Sequence, residues 1–159
     1  MEMQINIRTA READLPEVMR LLHQINSEHH DHAPAVFVSP DQDEPDHWLK
    51  QILDSGQLFL VAESAASIMG LITATITTNS DIPFLSHHKV CRIGTIVVDL
   101  RQRRSGIGQL LMAEAESWAA TMGAKEIRLE VMEFNQRAVS FYANGGYETQ
   151  SRIMSKAIA

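Results

Sequence analysis

Hydrophobic residues near the start of the chain recur first with the period of a strand and then with that of a helix. Apolar and polar residues alternate over 5–9, which predicts a half-buried first strand. Asp14 and Pro16 then supply an N-cap and a first-turn proline for a helix that is expected to fray near His29. A polar, proline-bearing stretch over 29–45 precedes a second short helix and is a candidate substrate-covering loop.

β-Branched residues dominate the middle of the chain and indicate strands there. Residues 58–62 and 68–77 are separated by five residues, so they predict a hairpin. A longer strand is predicted over 90–98, and the helix after it ends before Gly123. The apolar face of that helix consists of Ile107, Leu110, Leu111, Ala115 and Trp118.

The last third of the chain predicts three further regions of secondary structure. These are a strand over 127–131, a short helix over 136–144 and a final pair of strands over 147–158. Runs of strands with helices between them are typical of a mixed α/β (α+β) sheet.

The junction between the long strand and the following helix combines glycine with positive charge. Gly106 and Gly108 have no Cβ, so an anion can approach the N–H groups at the start of the helix, where the positive end of the helix dipole lies. Arg101, Arg103 and Arg104 add full charges in a chain whose formal net charge is -6. The pattern indicates a phosphate-binding turn, and a solvated basic loop is the alternative on spacing alone.

Two better-known phosphate motifs do not fit this turn. A P-loop has Lys and then Ser or Thr directly after its second glycine, but Gly108 is followed by Gln109 and Leu110. A dinucleotide-binding fingerprint has a third glycine where this chain has Leu111. The turn is therefore a candidate phosphate site of another kind.

Two motifs in the second half of the chain resemble those of one family. The stretch Arg103-Arg104-Ser105-Gly106-Ile107-Gly108 fits the motif Gln/Arg-x-x-Gly-x-Gly/Ala after a valine-rich strand. Asn135-x-x-Ala138-x-x-Phe141-Tyr142, followed by Gly145-Gly146-Tyr147, resembles a second element of the same family. The chain thus resembles the GNAT superfamily of acetyl-CoA-dependent N-acetyltransferases over about residues 1 to 158, with the specific signal at roughly 93 to 148.

The resemblance implies a fold, a reaction and a set of site residues. It implies one N-acetyltransferase domain over residues 1–159, with a mostly antiparallel central sheet of about seven strands and about four flanking helices. The implied reaction is transfer of the acetyl group of acetyl-CoA to a primary amine in a direct ternary complex, with Tyr142 as general acid. The residues implied to hold acetyl-CoA are Ile96, Val97, Val98, Arg103, Arg104, Ser105, Gly106, Ile107, Gly108, Asn135 and Tyr142.

The general base has several candidates. Some family members carry a catalytic Glu eleven residues before the first residue of the glycine motif, and that position is Arg92 here. Glu130, in Leu-Glu-Val with Asn135 five residues later, resembles the base of the branch that acetylates N-terminal amines. A solvent-facing Glu130 without a catalytic role, a water molecule as base, and Asn135 as a helix cap all stay open. The remaining candidates for the base are His29, His30 and His32, together with Asp31.

Composition narrows the class of protein further. No apolar run approaches the ~20 residues that span a bilayer, and the acidic net charge disfavours nucleic acid as a partner. Residues 1–4 have neither a basic nor an apolar leader region, which together with a single cysteine predicts a cytoplasmic protein. Cys91 is expected in the core, and no metal site is expected.

Two other classes of function are compatible with the turn. A catalytically silent acyl-CoA-binding or sensory module on the same fold needs no general acid, so the presence of Tyr142 favours the enzyme. A purely structural α/β domain would not bind CoA. The acceptor amine stays open between a small molecule and a protein N-terminus, and a homodimer through a final strand is a further hypothesis.

Overall fold

The structure is a computed structural model that describes residues 4–42, 44–65 and 67–158. Met1–Met3, which entered the argument against a leader, lie outside the described residues, as do Asp43 in the predicted loop and Ala66 in the predicted hairpin turn. The chain forms two compact units, Met1–Leu129 and Glu130–Ala159. The single domain over the whole chain stays a prediction.

The predicted order of helices and strands is confirmed as far as the fourth helix. The first unit contains β1 (Asn6–Thr9), α1 (Leu15–His32), α2 (Pro45–Leu53), β2 (Leu58–Ser64), β3 (Ser67–Thr78), β4 (Lys89–Val98), α3 (Ile107–Thr121) and β5 (Glu126–Arg128). The second unit contains α4 (Gln136–Asn144). Helix α1 runs past the point where fraying was expected, because the Ala33 N–H donates to the His29 carbonyl (2.8 Å) and closes its last turn.

The five strands form one mixed sheet in the order β1-β2-β3-β4-β5. The first three pairings are antiparallel, and β4 pairs with β5 in parallel. That last pairing is short and joins Val90, Cys91 and Arg92 of β4 to the three residues of β5. The mostly antiparallel sheet is therefore confirmed, and so are the four α-helices within the described residues.

The predicted final pair of strands over 147–158 is wrong. The described residues contain five strands rather than seven, and no residue of 147–158 lies in a strand. Apolar side chains occur there as the neighbours Ile153-Met154 and Ala157-Ile158, so they do not alternate and provide no single face to bury. Met154 and Ile158 are 91% and 95% exposed, respectively.

Helix α1 packs on one face of the sheet. Val18, Leu21 and Leu22 of α1 are fully buried in the same core cluster as Leu71 of β3 and Val97 of β4. Burial of such side chains stabilises the fold by about 1.5–3 kcal/mol each.

No α-helix of the described residues is both long and apolar enough to cross a membrane.

Helix α3 packs on the opposite face. Gly70 is the neighbour of Leu71 and points the other way, and a Cβ built on it would lie 3.1 Å from Ile107 and 3.2 Å from Leu111. The prediction that Leu110 belongs to the buried face is wrong, since this side chain is 45% exposed. The buried row instead follows a spacing of four residues and comprises Ile107, Leu111, Ala115 and Ala119, with Met112 beside it.

A β-bulge interrupts β4 halfway along its length. Thr73 of β3 lies opposite Thr95, whereas Ala74 lies opposite Ile93, so Gly94 is an extra residue in β4. The Thr95 N–H donates to Thr73 Oγ1 (3.0 Å), which satisfies a donor that the bulge displaces from the backbone ladder. The bulge divides β4 into a first part that pairs with β5 and a second part that does not.

The second part of β4 has a free edge. Asp99 N–H donates to the Met69 carbonyl (2.8 Å), and hydrogen-bonded pairs alternate along an antiparallel ladder. The backbone groups of Val97 therefore face β3, whereas those of Ile96 and Val98 face the other side. No strand of the described residues pairs with that side of β4 beyond residue 92.

Asp99 anchors the end of β4 through a buried carboxylate. It accepts hydrogen bonds from the Arg101 N–H (2.9 Å), from Arg101 Nη2 (2.8 Å) and from Arg20 Nη1 of α1 (2.8 Å). The Arg101 guanidinium is the main cause that holds the pKa of Asp99 well below its usual range, and Arg20 adds to it. Because the folded pKa is lowered, Asp99 stabilises the fold above the pKa of unfolded aspartate, about 3.9, and loses that contribution as the pH falls further.

Asp99→Asn is therefore expected to lower the free energy of unfolding by about 1–3 kcal/mol at pH 7, because charge-assisted hydrogen bonds to a buried acceptor are lost. Urea unfolding followed at several pH values measures this difference, which should be constant from pH 5 to 8 and shrink below about pH 4. Asp31→Asn at an exposed position of α1 is the control. Equal stability of wild type and Asp99→Asn at pH 7 would contradict this role.

Candidate functional site

The turn between β4 and α3 has an unusual backbone at two positions. Arg104 and Gly106 have positive φ values of 69° and 85°, respectively. The backbone of Arg103, which directly precedes them, is extended. Alternation of left-handed with other backbone conformations turns successive N–H groups toward one concave side, where an anion can bind. The Ser105 hydroxyl donates to the Gln102 carbonyl, which fixes the turn from within.

Helix α3 adds unsatisfied donors to this turn. Its first helical hydrogen bond runs from the Leu110 N–H to the Gly106 carbonyl (3.1 Å), so the geometry of a helix provides no internal acceptor for the N–H groups of Ile107, Gly108 and Gln109. No side chain caps Gly106. A Cβ at Gly106 would meet no atom within 4 Å, so the space beside the N–H groups is open. This cradle fits a phosphate.

Two of the three arginines around the cradle already have carboxylate partners. Arg101 is held by Asp99, as described above, and Arg103 Nη2 lies 3.2 Å from Glu28 Oε2 of α1. Arg104 is exposed and takes part in no ion pair of the described residues. All three arginines carry a full charge as expected, but among the described residues only that of Arg104 is not paired with a carboxylate.

The free edge of β4 leads into the cradle. The Val98 carbonyl accepts a hydrogen bond from Gln24 Nε2 (3.0 Å), and Gln24 Oε1 accepts one from the Leu100 N–H (3.1 Å). The backbone groups of Ile96 and the Val98 N–H face the same edge. Val97, also expected to bind through its backbone, points that backbone toward β3 and buries its side chain. An extended, amide-rich ligand therefore finds the N–H and the carbonyl of Ile96 and the N–H of Val98, whereas the Val98 carbonyl is already bound to Gln24.

The second unit contains the other predicted site residues. Asn135 Oδ1 accepts a hydrogen bond from the Ala138 N–H (3.2 Å), so Asn135 is the N-cap of α4, which explains the Asn-x-x-Ala spacing. Glu130 follows β5 by two residues and is exposed. The ring of Tyr142 lies edge-on to the rings of Phe141 and Tyr147, with centroids 5.3 Å and 6.0 Å away.

Burial raises the pKa of Tyr142 to about 12. The cause is desolvation, which disfavours the charged phenolate. The phenol therefore keeps its proton throughout the neutral and mildly alkaline range, which is the form that a general acid requires.

Two of the histidines predicted as candidate bases, His29 and His30, contact Phe37. The His29 ring stacks on Phe37 with centroids 4.7 Å apart, and His30 Nδ1 lies 2.9 Å from the Phe37 carbonyl oxygen. Burial lowers the pKa of His29. Within the described ranges, no group of three His, Cys, Asp or Glu residues has a geometry that could hold a metal ion.

Cys91 lies in the core as predicted. It is fully buried in β4, and this burial raises the pKa of its thiol. A buried thiol with a raised pKa is a poor nucleophile, because the thiolate is the reactive form.

Two features of the site were not anticipated from the sequence. Gln24 lies on α1 and reaches the strand edge, but its polar character alone is ordinary for a helix surface. The bulge at Gly94 determines which backbone groups of β4 face outward. A glycine within a run of β-branched residues is the sequence signal that could have indicated this bulge.

Comparison with known proteins agrees with this geometry. The sequence model of the acetyltransferase (GNAT) family matches residues 17–147. The chain belongs to that family. The match spans both compact units and includes both motifs, so the predicted family is confirmed. No curated protein sequence shows a significant match to this GNAT protein.

Several solved structures share the GNAT fold with this chain. A mutant of BH1408 protein from Bacillus halodurans is 25% identical with a TM-score of 0.91, covering 97% of this chain and 99% of its own. The aminoglycoside N-acetyltransferase AAC(6')-Iy in complex with CoA is 16% identical with a TM-score of 0.77, covering 99% of this chain and 97% of its own. A transcriptional regulator from Bacillus halodurans C-125 is 19% identical with a TM-score of 0.74, covering 98% and 100%. These similarities show the fold alone.

Proposed function

We propose that this GNAT protein transfers the acetyl group of acetyl-CoA to a primary amine in a ternary complex. The observation that carries the proposal is the continuity of two backbone sites on one strand and turn. The free edge at Ile96 and Val98 leads directly into the cradle formed by Arg104, Gly106 and the start of α3. An ordinary buried strand followed by a solvated loop would need neither feature.

Acetyl-CoA fits these two sites by its chemistry. Its pyrophosphate matches the N–H groups and the helix dipole of the cradle, and the exposed guanidinium of Arg104 adds a full charge. The amides of its pantetheine arm match the outward-facing backbone groups of Ile96 and Val98. A backbone N–H of this edge would also stabilise the carbonyl oxygen of the thioester as it gains negative charge.

In the proposed reaction, the neutral amine attacks the thioester carbonyl. A C–N bond forms, the C–S bond breaks, and the departing thiolate takes a proton from Tyr142, whose raised pKa keeps it protonated. The amine loses its extra proton to a base, for which Glu130 is our candidate. The motif containing Asn135 and Tyr142 supports these roles, and the buried Cys91 argues against a covalent intermediate.

Calorimetric titration with acetyl-CoA, followed by assays of CoA release with a panel of amines, tests the proposal. We expect a dissociation constant in the micromolar range and CoA release that depends on an amine. Binding without acetyl transfer to any amine would favour a silent acyl-CoA-binding module, and absence of binding would remove both functions. Cytoplasmic location and a homodimer stay predictions from the sequence, but pairing of the homodimer through a final strand loses its basis, since no residue of 147–158 lies in a strand.

Glu130→Gln is expected to lower kcat/KM by about 10²- to 10⁴-fold, because no carboxylate is left to accept the amine proton. Glu133→Gln, at an exposed position in the same segment, is the matched control. An unchanged kcat/KM in Glu130→Gln would assign the proton to water or to another group.

A further inference from the structure

A pair of arginines lies where β4 and β5 stop pairing. Arg92 and Arg128 are the last residues of the ladder between these strands and lie directly opposite each other. Partners in a ladder share one face of the sheet, and like charges in that position destabilise it. A feature that breaks a local rule without an evident structural gain is a candidate functional site.

The positive charge of Arg128 is paired with a carboxylate, whereas that of Arg92 is not paired within the described part of the chain. Arg128 Nε lies 2.7 Å from Glu126 Oε1, and Glu126 Oε2 also lies 3.0 Å from His88 Nε2. The side chain of Arg92 is exposed, and its Nε donates to Thr77 Oγ1 (3.3 Å), a neutral acceptor. Among the described residues, no ion pair includes Arg92. Its remaining N–H donors are therefore available to an anion from outside the chain.

Arg92 lies on the same strand as Ile96 and Val98, whose backbone groups are proposed to bind acetyl-CoA, and so it lies where the acceptor is expected. If the pyrophosphate lies at the cradle and the pantetheine arm runs back along Val98 and Ile96, the acetyl end points along β4 toward Arg92. Ile96 lies opposite Ile72 and Arg92 lies opposite Thr75, so with Gly94 in the bulge three ladder positions, about 10 Å of strand, separate them. A single small acceptor molecule is therefore long enough to place one of its groups at Arg92 and its reacting amine at the acetyl group.

We propose that Arg92 binds a carboxylate of the acceptor, so that the substrate is an amine that also bears a carboxylate. This inference rests on the proposed acetyltransferase function and narrows its substrate class. A guanidinium pairs with a carboxylate through two parallel hydrogen bonds, which adds orientation to affinity. Arg92 also provides local positive charge on a chain whose net charge of -6 would otherwise repel such a substrate.

The test measures binding of acetylated products, so it does not depend on turnover. The probes are N-acetylglycine, N-acetyl-4-aminobutyrate and N-acetyl-6-aminohexanoate, each paired with its carboxamide, titrated into the protein with CoA. We expect at least one carboxylate to bind about tenfold or more tightly than its carboxamide. The preferred chain length reports the separation between the amine and the carboxylate.

Variants assign the preference to Arg92. Arg92→Gln should reduce the preference to within about twofold, whereas Arg92→Lys should keep part of it, because a charge without the planar fork remains. Arg11→Gln, at another exposed arginine of the same unit, should leave the preference unchanged. The affinity for acetyl-CoA should be the same in all of these variants.

In the binding test, three results would overturn the proposal: carboxamides that bind as tightly as carboxylates, no measurable binding of any carboxylate, or a preference that persists in Arg92→Gln. Faster acetylation of spermidine than of 4-aminobutyrate would also contradict it. Failure of the acetyltransferase function itself has a different signature, namely no binding of acetyl-CoA or no acetyl transfer to any amine.

Discussion

Tyr142→Phe is expected to lower kcat by about 10- to 10⁴-fold and to leave the affinity for acetyl-CoA nearly unchanged. The substitution removes one hydroxyl group and keeps the ring, so the edge-on contacts with Phe141 and Tyr147 are preserved. The loss should therefore appear in the chemical step, where the thiolate would leave without a proton. Steady-state kinetics together with calorimetric titration separates the two effects.

The raised pKa of Tyr142 sets the expected pH dependence. A phenol with a pKa of about 12 stays protonated well beyond the pH range of an ordinary assay, so its ionisation should not limit kcat between pH 7 and 10. Tyr147→Phe is the matched control, because the chain has two tyrosines and this substitution removes the other hydroxyl. If Tyr142→Phe has the kcat of wild type, Tyr142 is not the acid.

Gly106→Val is expected to weaken acetyl-CoA binding by about 100-fold or more. Valine would extend into the open space beside the N–H groups of the cradle, which displaces a phosphate from at least two charge-assisted hydrogen bonds. The positive φ of 85° adds strain of about 1–3 kcal/mol to the folded state. Calorimetric titration measures the affinity, and urea unfolding measures the stability.

Gly123→Val separates strain from the loss of the binding site. Gly123 follows α3 at its other end and has a φ of 83°, so valine there meets the same backbone penalty. We expect both variants to lose stability but only Gly106→Val to lose affinity for acetyl-CoA. Equal affinities in the two variants would show that the cradle does not hold the pyrophosphate.

Local sequence signals predicted the parts of the structure that depend on neighbours in the chain. Asn135 caps α4 three residues before Ala138, and the helix covers the predicted residues 136–144. Gly106 opens α3 and Gly123 follows its end, as their lack of a Cβ suggested. These signals act within a few residues, so no knowledge of the tertiary structure is required.

Features that depend on distant partners were beyond the reach of the sequence. Glu28 neutralises Arg103 from 75 positions away, so the run of arginines looked more basic than it is. Likewise, the outward direction of Ile96 and Val98 follows from the register with β3 and from the bulge. The wrong strands over 147–158 are a different case, because the lack of alternation between apolar and polar residues there was already visible in the sequence.

Arg20, Gln24 and Glu28 recur every four residues and form one row along α1. They bind, in order, Asp99, the backbone at Val98 and Leu100, and Arg103. One rigid helix thus holds the loop at three successive points before any ligand arrives. The entropy lost in ordering that loop belongs to folding rather than to binding, so the cradle is preorganised and more of the contact energy with a ligand remains as affinity.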